Sequence, residues 1–344
     1  MPENVLDIER TDDLIAYLRS RKLLLDGDNA EIRKLEGGVS SRTVVVRPGK
    51  RPPFVVKQAL SKLRVAVDWY SDPERIHREA RGLEWLETLA PAGTITPLLF
   101  EDHELHVIGM TAVPEPSLNW KATLLAGDLH PEHVDQFATI LGTIHVRSAL
   151  LRDAISNVFA DRSFFESLRL EPYYRYSAEQ VPETQAFFND LLTETWETQL
   201  ALVHGDYSPK NVLIHQGRLF LVDHEVIHFG DPAFDVGFSL THLLSKANHL
   251  VHRRALFVQG AYLYVNRYLQ CLNGVSWRAA LQQRSVRHTL ACLLARVAGR
   301  SPLEYLTETE RTVQQSIVCE LIGHPPQSLA DLIACFSERL NAIY

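Results

Sequence analysis

The rhythm of apolar and polar positions changes partway along the 344-residue chain. Between 11 and 26, Leu14, Leu18 and Leu25 share one side, which predicts an opening helix. Short β-like runs follow at 31–39, 42–47 and 54–60, and Pro48-Gly49-Lys50 joins the second and third as a hairpin. Ser71-Asp72-Pro73-Glu74 then reads as a helix start with Pro73 at the first helical position. Ile76, Ala80, Leu83 and Leu86 continue that helix to Leu89 with one apolar face. Two more strand-like runs, 95–100 and 105–112, precede the connector Pro114-Glu115-Pro116. Beyond it the spacing is helical at 131–151 (Phe137, Leu141, Ile144, Ser148), 182–200, 233–247 and 326–342. The exception is 201–223, where β-like segments flank a polar loop. The pattern predicts an α+β chain: a small β-rich part, 1–113, and a larger, mostly helical part, 114–344.

Composition adds exclusions. A net charge of -7 gives no general electrostatic reason to bind nucleic acid or an anionic membrane. No apolar window of about 18 residues exists to span a bilayer, and the N-terminus MPENVLDIER is acidic and polar, unlike a signal peptide. The expectation is a cytoplasmic protein. Its four cysteines (Cys271, Cys292, Cys319, Cys335) lie far apart in the last quarter, which suggests buried free thiols in a reducing compartment. His204, His224, His228 and His242 repeat no zinc-ligand spacing. A homodimer is left open.

The loop LVHGDYSPKNVLI, 202–214, carries the chemistry. Asp206 and Asn211 are five apart, and a second acid, Asp223, comes twelve residues later at the end of a strand-like run. Two carboxylates and an amide oxygen suit Mg²⁺, a hard cation that takes oxygen ligands. An acid not used on the metal can orient or deprotonate a hydroxyl. Asp206 and Asn211 can each be read as turn residues that satisfy backbone, but the ordered set is harder to explain that way.

This loop, followed by Asp223-His224-Glu225, resembles the catalytic loop and metal site of the kinase-like small-molecule phosphotransferases, the aminoglycoside phosphotransferase and choline kinase group. The resemblance implies a bilobal protein-kinase-like fold, with Asp206 as catalytic base and Asn211 and Asp223 as Mg²⁺ ligands. It also implies that Asp235 braces the loop. Protein kinases carry lysine where this chain has Ser208, and Asp-Phe-Gly where it has Asp-His-Glu. Both departures point away from a protein substrate.

Given that loop, the β-rich part should supply a nucleotide clamp. Gly37, Gly38 and Ser40 lie between two strand-like runs, where glycines admit phosphates, although a plain hairpin turn reads the same way. Lys57 ends a hydrophobic run and is assigned to ATP phosphates; the bland reading is a solvated edge lysine. Glu79 shares a face with Ile76 and Leu83 and is its expected partner.

The segments 119–127 and 168–174 look like the methylthioribose kinase branch, as does the D-x-E acid pair, which would make Glu225 a second metal-site acid. That branch has a small hydroxyl residue where this chain has Asn211, so the acceptor stays open. Substrate contacts are expected from Tyr207, from Tyr174 and Arg175 in an aromatic-basic cluster, and from Arg296 and Arg300; packing and a solvated helix end are the competing readings. The expected activity is transfer of the ATP γ-phosphate to a hydroxyl of a sugar, amino alcohol or aminoglycoside. A pseudokinase scaffold, an unusual protein kinase and a metal-dependent hydrolase are the alternatives.

Overall fold

Alternation along two adjacent strands organises the N-terminal part of this computed structural model, which describes residues 6–25, 27–35, 40–49, 51–64 and 69–343. The strands are β1 (Glu31–Lys34), β2 (Ser41–Arg47), β3 (Phe54–Ala59), β4 (Leu98–Asp102) and β5 (Val107–Thr111); the helices beside them are α1 (Thr11–Ser20) and α2 (Arg75–Leu89). The sheet is antiparallel in the order β1-β2-β3-β5-β4. Val44, Val46, Phe54 and Val56 face one way and pack with Leu14 and Leu18 of α1. Val55, Ala59, Ile108 and Met110 face the other way, against Ile76, Ala80 and Leu83 of α2. Side chains two apart on a strand share a face, so Lys57 falls on the α2 side.

Three boundaries moved for identifiable reasons. α1 stops at Ser20, short of 26, because Lys22 adopts a left-handed conformation (φ 59°). α2 begins at Arg75, since Asp72 Oδ1 accepts from Glu74 N at 3.0 Å and holds 72–74 as a turn. β4 begins at Leu98, after Pro97, which has no N–H to give a ladder.

By internal contacts the chain divides into two compact units: Met1–Thr88, Ile95–Glu115 and Asp223–Glu225 form the first; Leu89–Thr94, Pro116–Val222 and Val226–Tyr344 form the second. Against an expected division at 113/114, the chain crosses at 115/116 and also exchanges two short segments. The exchange at 223–225 puts the expected metal-site acids with the β-rich unit.

The second unit begins with β6 (Leu118–Asn119), α3 (Trp120–Leu125) and α4 (Pro131–Leu150), then the short α5 (Arg152–Ile155) and α6 (Ser163–Phe165). A π-helix, Glu166–Arg175, follows; it contains Pro172 and leads into α7 (Tyr176–Gln180) and α8 (Gln185–Glu197). The strands β7 (Ala201–Val203), β8 (Val212–His215), β9 (Arg218–Leu221) and β10 (His228–Gly230) frame the polar loop. β7 pairs with β10, and β8 sits between β6 and β9. The remaining helices are α9 (Ala233–His249), α10 (Arg254–Cys271), α11 (Arg278–Ala298), α12 (Glu308–Gly323) and α13 (Leu329–Ile343). α9 packs against α10 and α11 and is buried from Ala233 to Asn248, including Asp235, His242 and Lys246. Buried polar groups on a core helix are costly unless hydrogen-bonded or paired.

All four cysteines are free, but only Cys292 is buried; Cys271, Cys319 and Cys335 are half-buried. Among the described residues no helix is long and apolar enough to cross a membrane.

Candidate active site

The β-rich unit contributes a cation between acids. Lys57 on β3 points to α2, where Glu79 lies one helical turn from Ile76 and Leu83. Lys57 Nζ is 2.6 Å from Glu79 Oε2 and 2.7 Å from Asp223 Oδ1. Burial alone would lower the Lys57 ammonium; Asp223, Glu79 and Glu225 outweigh it and hold it well above its ordinary value. Glu79 is the deeper acid at 1% exposure. Burial raises its carboxyl to about 7, with Lys57 opposing and Asp223 adding. Asp223 itself sits at φ 69°, a conformation rare outside glycine but tolerated by aspartate.

Arg75, fully buried in the first turn of α2, is a residue that sequence reasoning passed over. Its Nε donates to Glu225 Oε2 at 3.1 Å, and its other nitrogens donate to the carbonyls of Ser71, Asp72, Leu60 and Ser40. It thereby ties the ends of two strands and the start of α2 to Glu225. The available signal was a cation in a helix's first turn, where the helix dipole favours acids. Ser40 contributes its carbonyl to this clamp; Gly37 and Gly38 lie outside the described residues.

The helical unit contributes an acid among cations. Asp206 Oδ2 receives Asn211 Nδ2 at 2.9 Å, Arg169 at 2.9 Å and Lys210 at 3.1 Å. Arg169 comes from the π-helix and also donates to Gly205 O at 2.8 Å. The loop is fixed from beneath: Asp235, inside α9 and not capping it, accepts from His204 N at 2.7 Å and Gly205 N at 2.9 Å. His145 meets Asp235 at 3.3 Å and bonds Tyr268 on its other nitrogen. Gly205 has φ 76°, and a Cβ there would come within 3.0 Å of Val226 O, so the turn requires glycine.

Asn211 commits Nδ2 to Asp206, which leaves its carbonyl oxygen as the atom that can take a cation. Within the β-rich unit, the Asp223 and Glu225 carboxylates are oxygen donors, and that chemistry fits Mg²⁺.

The substrate expectations fare differently. Tyr207 and Tyr174 are corrections: both have no accessible surface. The Tyr207 hydroxyl donates to Phe137 O at 2.7 Å, and Tyr174 bonds His288 at 2.7 Å. Both are packing residues: Tyr207 stacks on Phe137, and Tyr174 packs with Phe188 and Phe234. Arg175 pairs with Glu166 and Arg300 with Glu171 as half-exposed ion pairs. Arg296 is buried, donating to Tyr173 at 3.0 Å and Ser301 O at 2.7 Å. Near it lie two buried basic groups of α9. Burial lowers His242 well below the usual range, and Arg296, Lys246, Lys121 and Lys210 push the same way. Burial likewise brings Lys246 down to about 7, helped by Lys121 and Arg296 against Glu304.

Residues 31–260 match the model of the phosphotransferase enzyme family, and the chain belongs to that family. It is 26% identical to the methylthioribose kinase of Pectobacterium carotovorum over 215 residues, covering 55% of this chain and 53% of that protein. It is 25% identical to the methylthioribose kinase of Klebsiella pneumoniae over the same length. The chain thus spans about half the length of the curated relatives it matches. Two solved structures share the kinase-like fold. A choline/ethanolamine kinase family protein from Mesorhizobium loti superposes with TM-score 0.53 at 15% identity, covering 95% of this chain and 99% of that one. The Plasmodium vivax ethanolamine kinase gives 0.57 at 10% identity, covering 92% and 91%.

Proposed function

We propose that this protein is an ATP- and Mg²⁺-dependent small-molecule kinase that phosphorylates a hydroxyl of an uncharged or acidic metabolite, a sugar above all. The observation that carries the reading is Lys57, 8% exposed and held at once by Glu79 and Asp223. A buried ammonium between two carboxylates costs desolvation, and its use is to meet phosphate oxygens in a fixed place. Glu79 sets the rotamer of Lys57. Asp223 and Glu225, and by the family resemblance Asn211, would hold Mg²⁺, which when bound would neutralise charge on the phosphates. Asp206 orients the acceptor hydroxyl and takes its proton, while Arg169, Lys210 and Asn211 keep the carboxylate in position.

Two features support a sugar over an amine acceptor. Lys210 lies beside Asp206, and Lys121, Lys246 and Arg296 bias the same neighbourhood of His242 with positive charge. A protonated amine brought there would meet like charges; a neutral sugar would not. The relatives named methylthioribose kinase point the same way. A metal-dependent hydrolase would have no purpose for the Lys57–Glu79 pair.

An ADP-release assay on the purified chain tests this against methylthioribose, other neutral sugars, sugar acids, amino alcohols and aminoglycosides. ADP release is expected with a neutral or acidic sugar. An aminoglycoside or amino alcohol as best acceptor would overturn the acceptor class, and failure to bind ATP would overturn the kinase.

A further inference from the structure

We propose that the corner formed by the start of α2 and the turn between β4 and β5 is a binding site for a transition-metal dication of the zinc class, with Glu74, His77 and His106 as ligands. His77 is the third residue of α2 and Glu74 lies three residues before it; His106 closes the turn 103–106. His77 Nε2 is 3.1 Å from His106 Nδ1, and His106 Nδ1 is 3.6 Å from Glu74 Oε1. All three donor atoms lie within 4.8 Å of one another. Nitrogen and oxygen donors around tetrahedral zinc sit at about 2.0–2.2 Å, which places neighbouring donors roughly 3.3–3.5 Å apart. The two measured edges straddle that value.

The orientation of His77 is also that of a ligand. Its Nδ1 bonds Glu101 Oε1 at 2.6 Å, so Nδ1 carries the proton and Nε2 turns a lone pair toward the other two donors. Metal-binding imidazoles are held in this way by a carboxylate on the far nitrogen. Glu101 is further engaged by His103 at 3.5 Å, whose ring stacks on His77 with centroids 4.2 Å apart. His77 is 7% exposed, whereas Glu74 and His106 form an accessible rim. Without metal, His106 Nδ1–H can donate to His77 Nε2, which closes the site as a hydrogen bond. Two imidazoles disfavour Mg²⁺ and Ca²⁺, which prefer oxygen. The donors join α2 to the β4–β5 turn two residues from Glu79, so occupancy anchors the helix that positions Lys57.

The test uses the full chain stripped of metal with a chelator, then titrated with Co²⁺ while visible d–d absorption is read, with Zn²⁺ as competitor. Wild type should bind one equivalent with a tetrahedral spectrum, and Zn²⁺ should displace it. His106→Asn, which tolerates the φ of 48°, and Glu74→Gln should each weaken binding by at least about 100-fold, and Glu101→Gln by about 10–100-fold. Asp223→Asn should leave this spectrum intact, separating the site from the proposed Mg²⁺ ligands. Zn²⁺ should raise the Tm of wild type and not of His106→Asn. No stoichiometric Co²⁺ uptake by wild type, or equal uptake by His106→Asn, overturns the proposal.

Discussion

The two charged clusters are electrostatic opposites. In the β-rich unit one ammonium, Lys57, is shared by Glu79 and Asp223, and a third acid, Glu225, pairs with Arg75. In the helical unit one carboxylate, Asp206, is shared by Arg169 and Lys210, and Lys246 and Arg296 lie buried along α9 and α11. The first cluster is short of positive charge and suits completion by a divalent cation. The second is short of negative charge and suits an electron-rich partner. The same chain thus prepares two complementary environments from one device, an ion pair with one member in excess.

Altering the shared member of either cluster should have the largest effect. Asp206→Asn should lower kcat by about 10²–10⁴-fold while leaving ATP affinity within a few-fold, measured by steady-state kinetics and calorimetry. Loss of ATP binding with an intact fold would move Asp206 to the nucleotide or its metal and erase the contrast.

Lys57→Met strikes the other cluster. It leaves Glu79 buried without its cation, so stability should fall by about 3–5 kcal/mol and kcat/KM by on the order of 100-fold. Adding Glu79→Gln should recover much of the stability but none of the activity, because both residues act through one contact. Fully additive losses in urea unfolding would mean that the 2.6 Å contact is not what either residue does.

Much of the clamp was legible because two periods agree. Period two places Lys57 on the side of Val55 and Ala59, and helical spacing places Glu79 with Ile76 and Leu83; both runs are long enough to read. The contact between Asp206 and Asn211 joins residues five apart in one loop, a separation short enough for spacing to suggest it. Arg75 and Arg169 were not legible, since an arginine within a helical run looks like a solvated charge until its distant partner is placed. Arg169 meets Asp206 across 37 positions and Arg75 meets Glu225 across 150. Adjacency misled in the opposite direction: Tyr207 follows Asp206, but its ring turns inward to stack on Phe137. The boundary of α1 depended on the backbone of one residue, Lys22, whose side-chain type gives no warning.

Arg169 offers a smaller and sharper probe of the helical unit. Holding Asp206 and the Gly205 carbonyl, and tied to Leu168 O and the Tyr173 ring besides, it is a positioning residue. Arg169→Met should lower kcat by about 10–100-fold with KM for ATP unchanged, and Arg169→Lys should recover part of the loss. A rise in ATP KM with kcat intact would place the arginine on the nucleotide.

The smallest kinetic effect on ATP use, and the most direct reading of excess positive charge, should come from Lys246. Unfolded, this lysine titrates near 10.5; folded, burial brings it to about 7. Between those values the unfolded chain holds a proton that the folded chain lacks, so stability rises with pH across that window. Below about pH 7 both states are protonated and the full penalty of a buried ammonium applies. Among the described residues no carboxylate pairs with Lys246 directly; its hydrogen bond is to His242 O at 3.3 Å, and its ammonium lies 5.2 Å from the Tyr305 ring. Lys246→Met removes that penalty and keeps the volume, so it should stabilise the protein by about 1–4 kcal/mol near pH 6. The gain should shrink steadily as pH approaches 10, because above about pH 7 the folded lysine is neutral and the cost of taking its proton from the unfolded chain falls as pH nears 10.5. Urea unfolding at about pH 6 and pH 9 measures both values. An equal gain at both would mean that the methionine acts through packing alone. A loss at pH 6 would mean that the folded protein already neutralises this lysine, and that the helical unit carries less excess positive charge than its cations alone imply.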